Sequence, residues 1–142
     1  MTTSSQKLIP ELSVGDITKS LHFYTEILGF SIAYERPEEG FAFLIMGEVE
    51  LMLDEIGKGR TWETGELTPP LGRGINLQIE VENVDEMLSR IQKNDIKLFL
   101  EVEEKWYRVD DHESGNKQFL VQDPDGYLLR FTQDLGDRSL QN

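Results

Sequence analysis

The 142-residue chain contains two histidines and no cysteine, which excludes thiolate nucleophiles, thiolate metal sites and disulfides from its chemistry. His22 stands in a helical pattern and His112 in a loop pattern, and neither has a neighbour at HExxH spacing. What remains is the chemistry of carboxylates, amides, guanidinium groups and rings. The alternating run 75–81 (INLQIEV) turns Leu77, Ile79 and Val81 one way and Asn76, Gln78 and Glu80 the other. In the same way 7–14 groups Ile9, Glu11 and Ser13, and the closing run groups Leu128, Arg130 and Thr132. With the apolar sets packed on helices, the opposite face is polar and partly acidic, which suits a ligand pocket. Two other uses stay open: Arg130 can pair with Glu11 or Glu80, or Glu80 can act as a base with Arg130 clamping an oxyanion. A metal site built from Glu50, Glu80 and His112 is a weaker reading, because acidic clusters are commonly just solvated.

Rings supply the second chemical signal. Trp62, Trp106 and Tyr107 stand in irregular, acidic surroundings (Glu63, Glu103, Glu104, Asp110, Asp111), a setting for stacking on a flat cation, with loop anchoring or dimer packing as the alternative. Phe41 and Phe43 alternate on one strand and line either the polar cleft or the core. Phe23, Tyr24, Phe30, Phe119 and Phe131 fall on helix positions or helix-facing strand positions and are read as core.

The elements that must position these groups come in two similar sets. A strand over 7–14, with Pro10 marking an edge or hinge, leads through Asp16 as N-cap into a helix carrying Ile17, Leu21, Tyr24 and Leu28 and ending at Gly29. Strand-like runs follow at 30–35, 41–46 and 49–54. The pattern then restarts at 75–81, with Asn83 as a second N-cap before Val84, Leu88 and Ile91, and with strand-like runs at 97–102, about 105–109, 118–122 and 127–133. Laying VGDI (14–17) over VENV (81–84) gives an offset of 67 residues that also matches Leu21 with Leu88 and Tyr24 with Ile91. The expectation is an α+β chain of tandem βαβββ modules within one domain: about 7–54, a linker 55–73, about 74–135, and a flexible tail 136–142.

The segments VGDITKSLHFYTEILGF (14–30), INLQIEVENVDEML (75–88) and FLVQDPDGYLLRFTQ (119–133) resemble the vicinal-oxygen-chelate superfamily of glyoxalases, bleomycin-resistance proteins and extradiol dioxygenases. The resemblance implies paired βαβββ modules curled into a half-open barrel around a cleft, usually in a homodimer. It also implies four metal-ligand places, which here hold Ile9, about Leu53, Asn76 and Arg130. Two aliphatic side chains, one amide and one cation do not make a dication site, so no metal, no cofactor and no catalytic residue is assigned. Within the superfamily the metal-free bleomycin-resistance proteins are most similar, through Pro10, the DPDGYLLRFTQ run and strong acidity. Their drug-stacking tryptophan corresponds here to Ser114, with Trp106 or Trp62 as candidate substitutes.

Charge and composition fit a small-molecule role. Fourteen basic against 27 acidic residues leave a net charge of −13, which repels nucleic acid and anionic membranes and attracts cations. The polar start and the lack of a long apolar run place the chain in the cytoplasm. The sequence therefore reads as a metal-free homodimeric binder of a small, cationic or planar ligand such as a bleomycin-like antibiotic. Its proposed contacts are Phe41, Phe43, Trp62, Asn76, Gln78, Glu80, Trp106, Tyr107 and Arg130. The alternative is a glyoxalase-like lyase or isomerase, or a dioxygenase-related enzyme, with a displaced or absent metal.

Overall fold

Asp16 starts the first helix as its position in the sequence predicts, its carboxylate accepting from the Thr18 and Lys19 backbone N–H groups. In the computed structural model, which describes residues 5–59 and 62–140, this helix is α1 (Ile17–Leu21), and it widens at once into a π-helical stretch, His22–Ile27. The Leu28 N–H reaches back five residues to the Phe23 carbonyl, so Phe23, Tyr24, Ile27 and Leu28 all turn inward. Ile17 and Leu21, expected on the buried stripe, are only half-buried.

The chain divides into two compact units, Met1–Leu71 and Gly72–Asn142. In the first, β1 (Glu11–Val14), β2 (Ser31–Arg36), β3 (Phe41–Met46) and β4 (Val49–Glu55) form one sheet in the order β1-β4-β3-β2. β1 runs parallel to β4, and the other pairs are antiparallel. The first strand is shorter than its alternation predicts: Leu8 is 82% exposed, because pairing with β4 begins only at the Pro10 carbonyl. Leu12, Val14, Ala42, Leu44, Leu51 and Leu53 are buried on the face that α1 covers.

The second unit repeats this topology with β5 (Asn76–Glu80), α2 (Val84–Lys93), β6 (Leu100–Val109), β7 (His112–Gln122) and β8 (Leu128–Ser139) in the order β5-β8-β7-β6. Asn83 caps α2 by accepting from the Glu86 N–H, and Asp85 and Glu86 at one end with Arg90 and Lys93 at the other complement the helix dipole. Each unit is thus a βαβββ module, and the fold class expected from the repeat is correct. The Asp123 carboxylate accepts from the Asp125 and Tyr127 N–H groups, which closes the expected DPDG turn between β7 and β8.

Three local expectations need correction. The runs at 97–102 and 105–109 are one strand, β6, with an irregularity between Leu100 and Glu103, and His112 opens β7 instead of lying in a loop. The tail expected from 136 is ordered as strand through Ser139, since Gly136 and Arg138 pair with Gly115 and Glu113. β8 gains this length because β7 also extends, and each lends the other hydrogen bonds. Among the described residues, no helix is long and apolar enough to cross a membrane.

Candidate functional site

Strand alternation leaves one face of the first sheet uncovered by α1, and register fixes which side chains share it. Phe41 stands opposite Asp54, Phe43 opposite Met52 and Ile45 opposite Glu50, while Glu11 and Ser13 register with Met52 and Asp54. A bulge between Ile32 and Tyr34 brings Tyr34 and Arg36 onto this face beside Phe43 and Phe41. The Tyr34 and Phe43 rings stack with centroids 5.1 Å apart, and Phe41 lies 6.0 Å from Tyr34. Phe41 and Phe43 are therefore both buried and on the uncovered face, so the choice between cleft and core was too sharp.

At one end of this face is a hollow of about 120 Å³, lined by Glu11, Arg36, Glu39, Phe41, Asp54 and Trp62. Gly59 also lines it, and an added Cβ there would lie 2.9 Å from the Glu39 carbonyl oxygen and 3.4 Å from the Asp54 Oδ1. The Arg36 guanidinium sits 4.1 Å over the Phe41 ring and donates to Glu39 at 2.7 Å. Asp54 is only 7% exposed and accepts no hydrogen bond from any described residue. Burial raises its carboxyl pKa, the Glu39 carboxylate adds to the rise, and Arg36 opposes it. Trp62, 72% exposed, borders the same hollow. The arrangement is suited to a flat cation: an aromatic floor, the Glu11 and Glu39 carboxylates and the deeper Asp54 acceptor.

The second unit's uncovered face is mostly amide and carboxylate. Asn76, Gln78 and Glu80 are exposed along β5, and Gln78 stands in register with Arg130. Arg130 donates to the Gln78 carbonyl oxygen, so it is bound to an amide and not to the carboxylates expected as its partners. Gln118, 3% exposed, donates to Glu103 at 3.1 Å and to the Tyr107 hydroxyl at 2.9 Å. Trp106 and Tyr107 part company here. Tyr107 pairs with Ser114 on the uncovered face. Trp106 lies on the other face, pressed against Gly115 with the Arg138 guanidinium 3.9 Å over its ring and Glu113 bonded to Arg138.

The residues do not fit the superfamily's metal centre. Leu53 is fully buried on the helix side of β4, Arg130 is a cation, and among the described residues no three His, Asp or Glu side chains gather closely enough to hold an ion. Of the shifted set, the Glu50 carboxylate accepts from the Ser5 and Gln6 N–H groups, and His112 bonds Asp111, whose carboxyl pKa it lowers. Sequence reasoning missed Tyr34, Arg36, Glu39 and Asp54. The alternation of β4 was a usable signal for Asp54, since Leu51 and Leu53 turn inward and leave Glu50, Met52 and Asp54 on the other face.

Comparison with known proteins bears on the family and the fold. The family model described as Glyoxalase/Bleomycin resistance protein/Dioxygenase superfamily matches residues 9–131. A bleomycin resistance protein of Geobacillus stearothermophilus is 32% identical over 136 residues, covering 89% of this chain and 96% of its own, and one of Staphylococcus aureus matches equally. Among solved structures, TioX from Micromonospora sp. ML1 superposes with a TM-score of 0.73 at 23% identity, over 92% of this chain and all of its own, which supports the fold.

Proposed function

Since the chain belongs to the Glyoxalase/Bleomycin resistance protein/Dioxygenase superfamily, we propose that it is a binding protein that sequesters a planar, cationic small molecule of the bleomycin type and does not transform it. The observation that carries this reading is the uncovered face of the first sheet, where the Tyr34, Phe41 and Phe43 rings adjoin the buried Asp54 carboxylate. Aromatic faces contribute stacking that no reaction consumes, and carboxylates select charge. Sequestration needs nothing more, because a protein in excess over its Kd lowers the free ligand by mass action.

Within this reading Phe41, Phe43 and Trp62 stack on the ligand's flat part. On the second unit, Asn76, Gln78, Glu80 and Arg130 are the candidate contacts for a ligand's amides and hydroxyls. Tyr107 stands directly across from Ser114 and offers a ring close to the place where the resembled proteins carry tryptophan. Trp106, on the opposite face, contacts ligand only if that face is also used. The working form in this reading is a homodimer, as the resemblance implies, with the cytoplasm as its expected location.

Isothermal calorimetry with metal-free bleomycin, beside elemental analysis of the same sample, tests the proposal. Saturable binding by metal-free protein is expected, with Tyr107→Ala weakening it about tenfold and Phe131→Ala changing it only through stability. Absence of binding together with stoichiometric divalent metal would overturn the reading in favour of an enzyme.

A further inference from the structure

Arg36 occupies its hollow in the manner expected of a ligand. Its guanidinium stacks on Phe41 at 4.1 Å, approaches Tyr34 at 6.0 Å and is neutralised by Glu39 at 2.7 Å. Yet Arg36 lies on β2, and its side chain is half exposed, so it can swing into water without disturbing the core. Asp54 tells the other half. It is more than nine-tenths buried, lines the same hollow, and no described residue donates to it, although buried carboxylates ordinarily find donors. The resident cation stacks on the ring and bonds Glu39, and the deeper acceptor stays unanswered.

We propose that this hollow is a cation subsite held shut by its own arginine: an incoming amidinium, guanidinium or primary ammonium group displaces Arg36 from Phe41 and donates to Asp54, with Glu39 and Glu11 closing the charge around it. A hollow of about 120 Å³ accepts a head group and not a whole drug, so the subsite sets specificity for one cationic end of a larger ligand. The inference rests on the binding-protein reading for the identity of that ligand, while the chemistry of the hollow stands on its own residues. Arg36 acts here as a built-in competitor, lowering affinity for weak cations and leaving room only for groups that reach Asp54.

Benzamidinium and its neutral isostere benzamide are the probes, titrated by calorimetry at neutral pH into the wild type, Arg36→Met and Asp54→Asn. Removal of the resident cation should tighten benzamidinium about three- to tenfold, the effect of a cation–π contact together with an exposed ion pair. Asp54→Asn should weaken it at least tenfold, and benzamide should respond to neither change. In the wild type, benzamidinium should also shift the Arg36 side-chain Nε resonance out of the ring current of Phe41, a readout that survives if a variant fails to fold. Unchanged or weaker binding by Arg36→Met, or an Arg36 resonance that does not move at saturation, overturns the proposal. If bleomycin binds while this pattern is absent, the subsite fails and the binding-protein reading stands. If bleomycin does not bind while the pattern holds, the ligand assignment fails and the subsite stands.

Discussion

Asp54 is largely buried as a residue, opens its carboxylate only onto the hollow and receives no hydrogen bond from a described donor, and that local conflict has a sign that can be measured. Its pKa is raised above 3.8 by burial first and by Glu39 second, against the pull of Arg36. Glu11 also faces the hollow. The folded chain therefore holds this proton more tightly than the unfolded chain does. The contribution of Asp54 to stability falls as pH rises through the window between 3.8 and its folded value, and it stays low above that window. Asp54→Asn should raise Tm at neutral pH, with the advantage over wild type shrinking as acid protonates the native carboxyl. Paired thermal melts across this range check it, and a lower Tm for the variant at neutral pH would mean that Asp54 is bonded after all. At this scale the sequence is legible where chemistry is local. Asp16 and Asn83 read correctly as caps because a cap needs only its own next three residues. The isolation of Asp54 was not legible, because what surrounds a carboxylate is decided by strands far apart in the chain.

Elements follow the same division between local and distant causes. The βαβββ order was readable twice over from alternation and helical spacing, and the 67-residue offset survives in detail: Ser20 and Met87 are both buried, as are Tyr24 and Ile91. The π-helical widening after Leu21 was not readable, since it serves to bury Phe23 and Ile27 along with Tyr24 and Leu28 against the sheet. Nor was the full length of β6, β7 and β8, whose charged outer halves look like loop until cross-strand partners are known. Glu104 faces Lys117, and Arg108, Glu113 and Arg138 stand in one row. The Trp106 ring crosses Gly115 in this extension so closely that an alanine Cβ would meet its atoms at 2.6–2.7 Å. Gly115→Ala should thus push the indole out from between Gly115 and Arg138, costing about 1–3 kcal/mol. Tryptophan emission should shift to the red, and chemical denaturation should show the loss. An unshifted spectrum with full stability would mean that Trp106 packs elsewhere.

At the scale of the whole molecule, the two modules share a topology and differ in what their uncovered faces offer. Ser13 registers with Asp54 in the first, whereas the corresponding pair in the second is Glu80 with Thr132. The first face combines stacked rings with a buried acceptor, and the second presents amides, the Glu80 and Glu103 carboxylates, the Tyr107 ring and the Arg130 guanidinium. The proposed cation subsite, a ring beside a buried carboxylate, belongs to the first module, while the net charge of −13 acts over the entire surface. These two effects respond differently to salt. The distant field is screened beyond a Debye length of about 8 Å at physiological ionic strength, whereas a contact inside a partly buried hollow is screened far less. Benzamidinium affinity should fall several-fold as salt is raised from about 20 mM to about 500 mM, and the Asp54→Asn penalty should stay nearly constant across that range. Titrations at four salt concentrations separate the terms, since the slope reports the field and the vertical gap between proteins reports Asp54. A gap that closes with salt would place the recognition of cations in the general acidity of the surface and remove the need for a dedicated site.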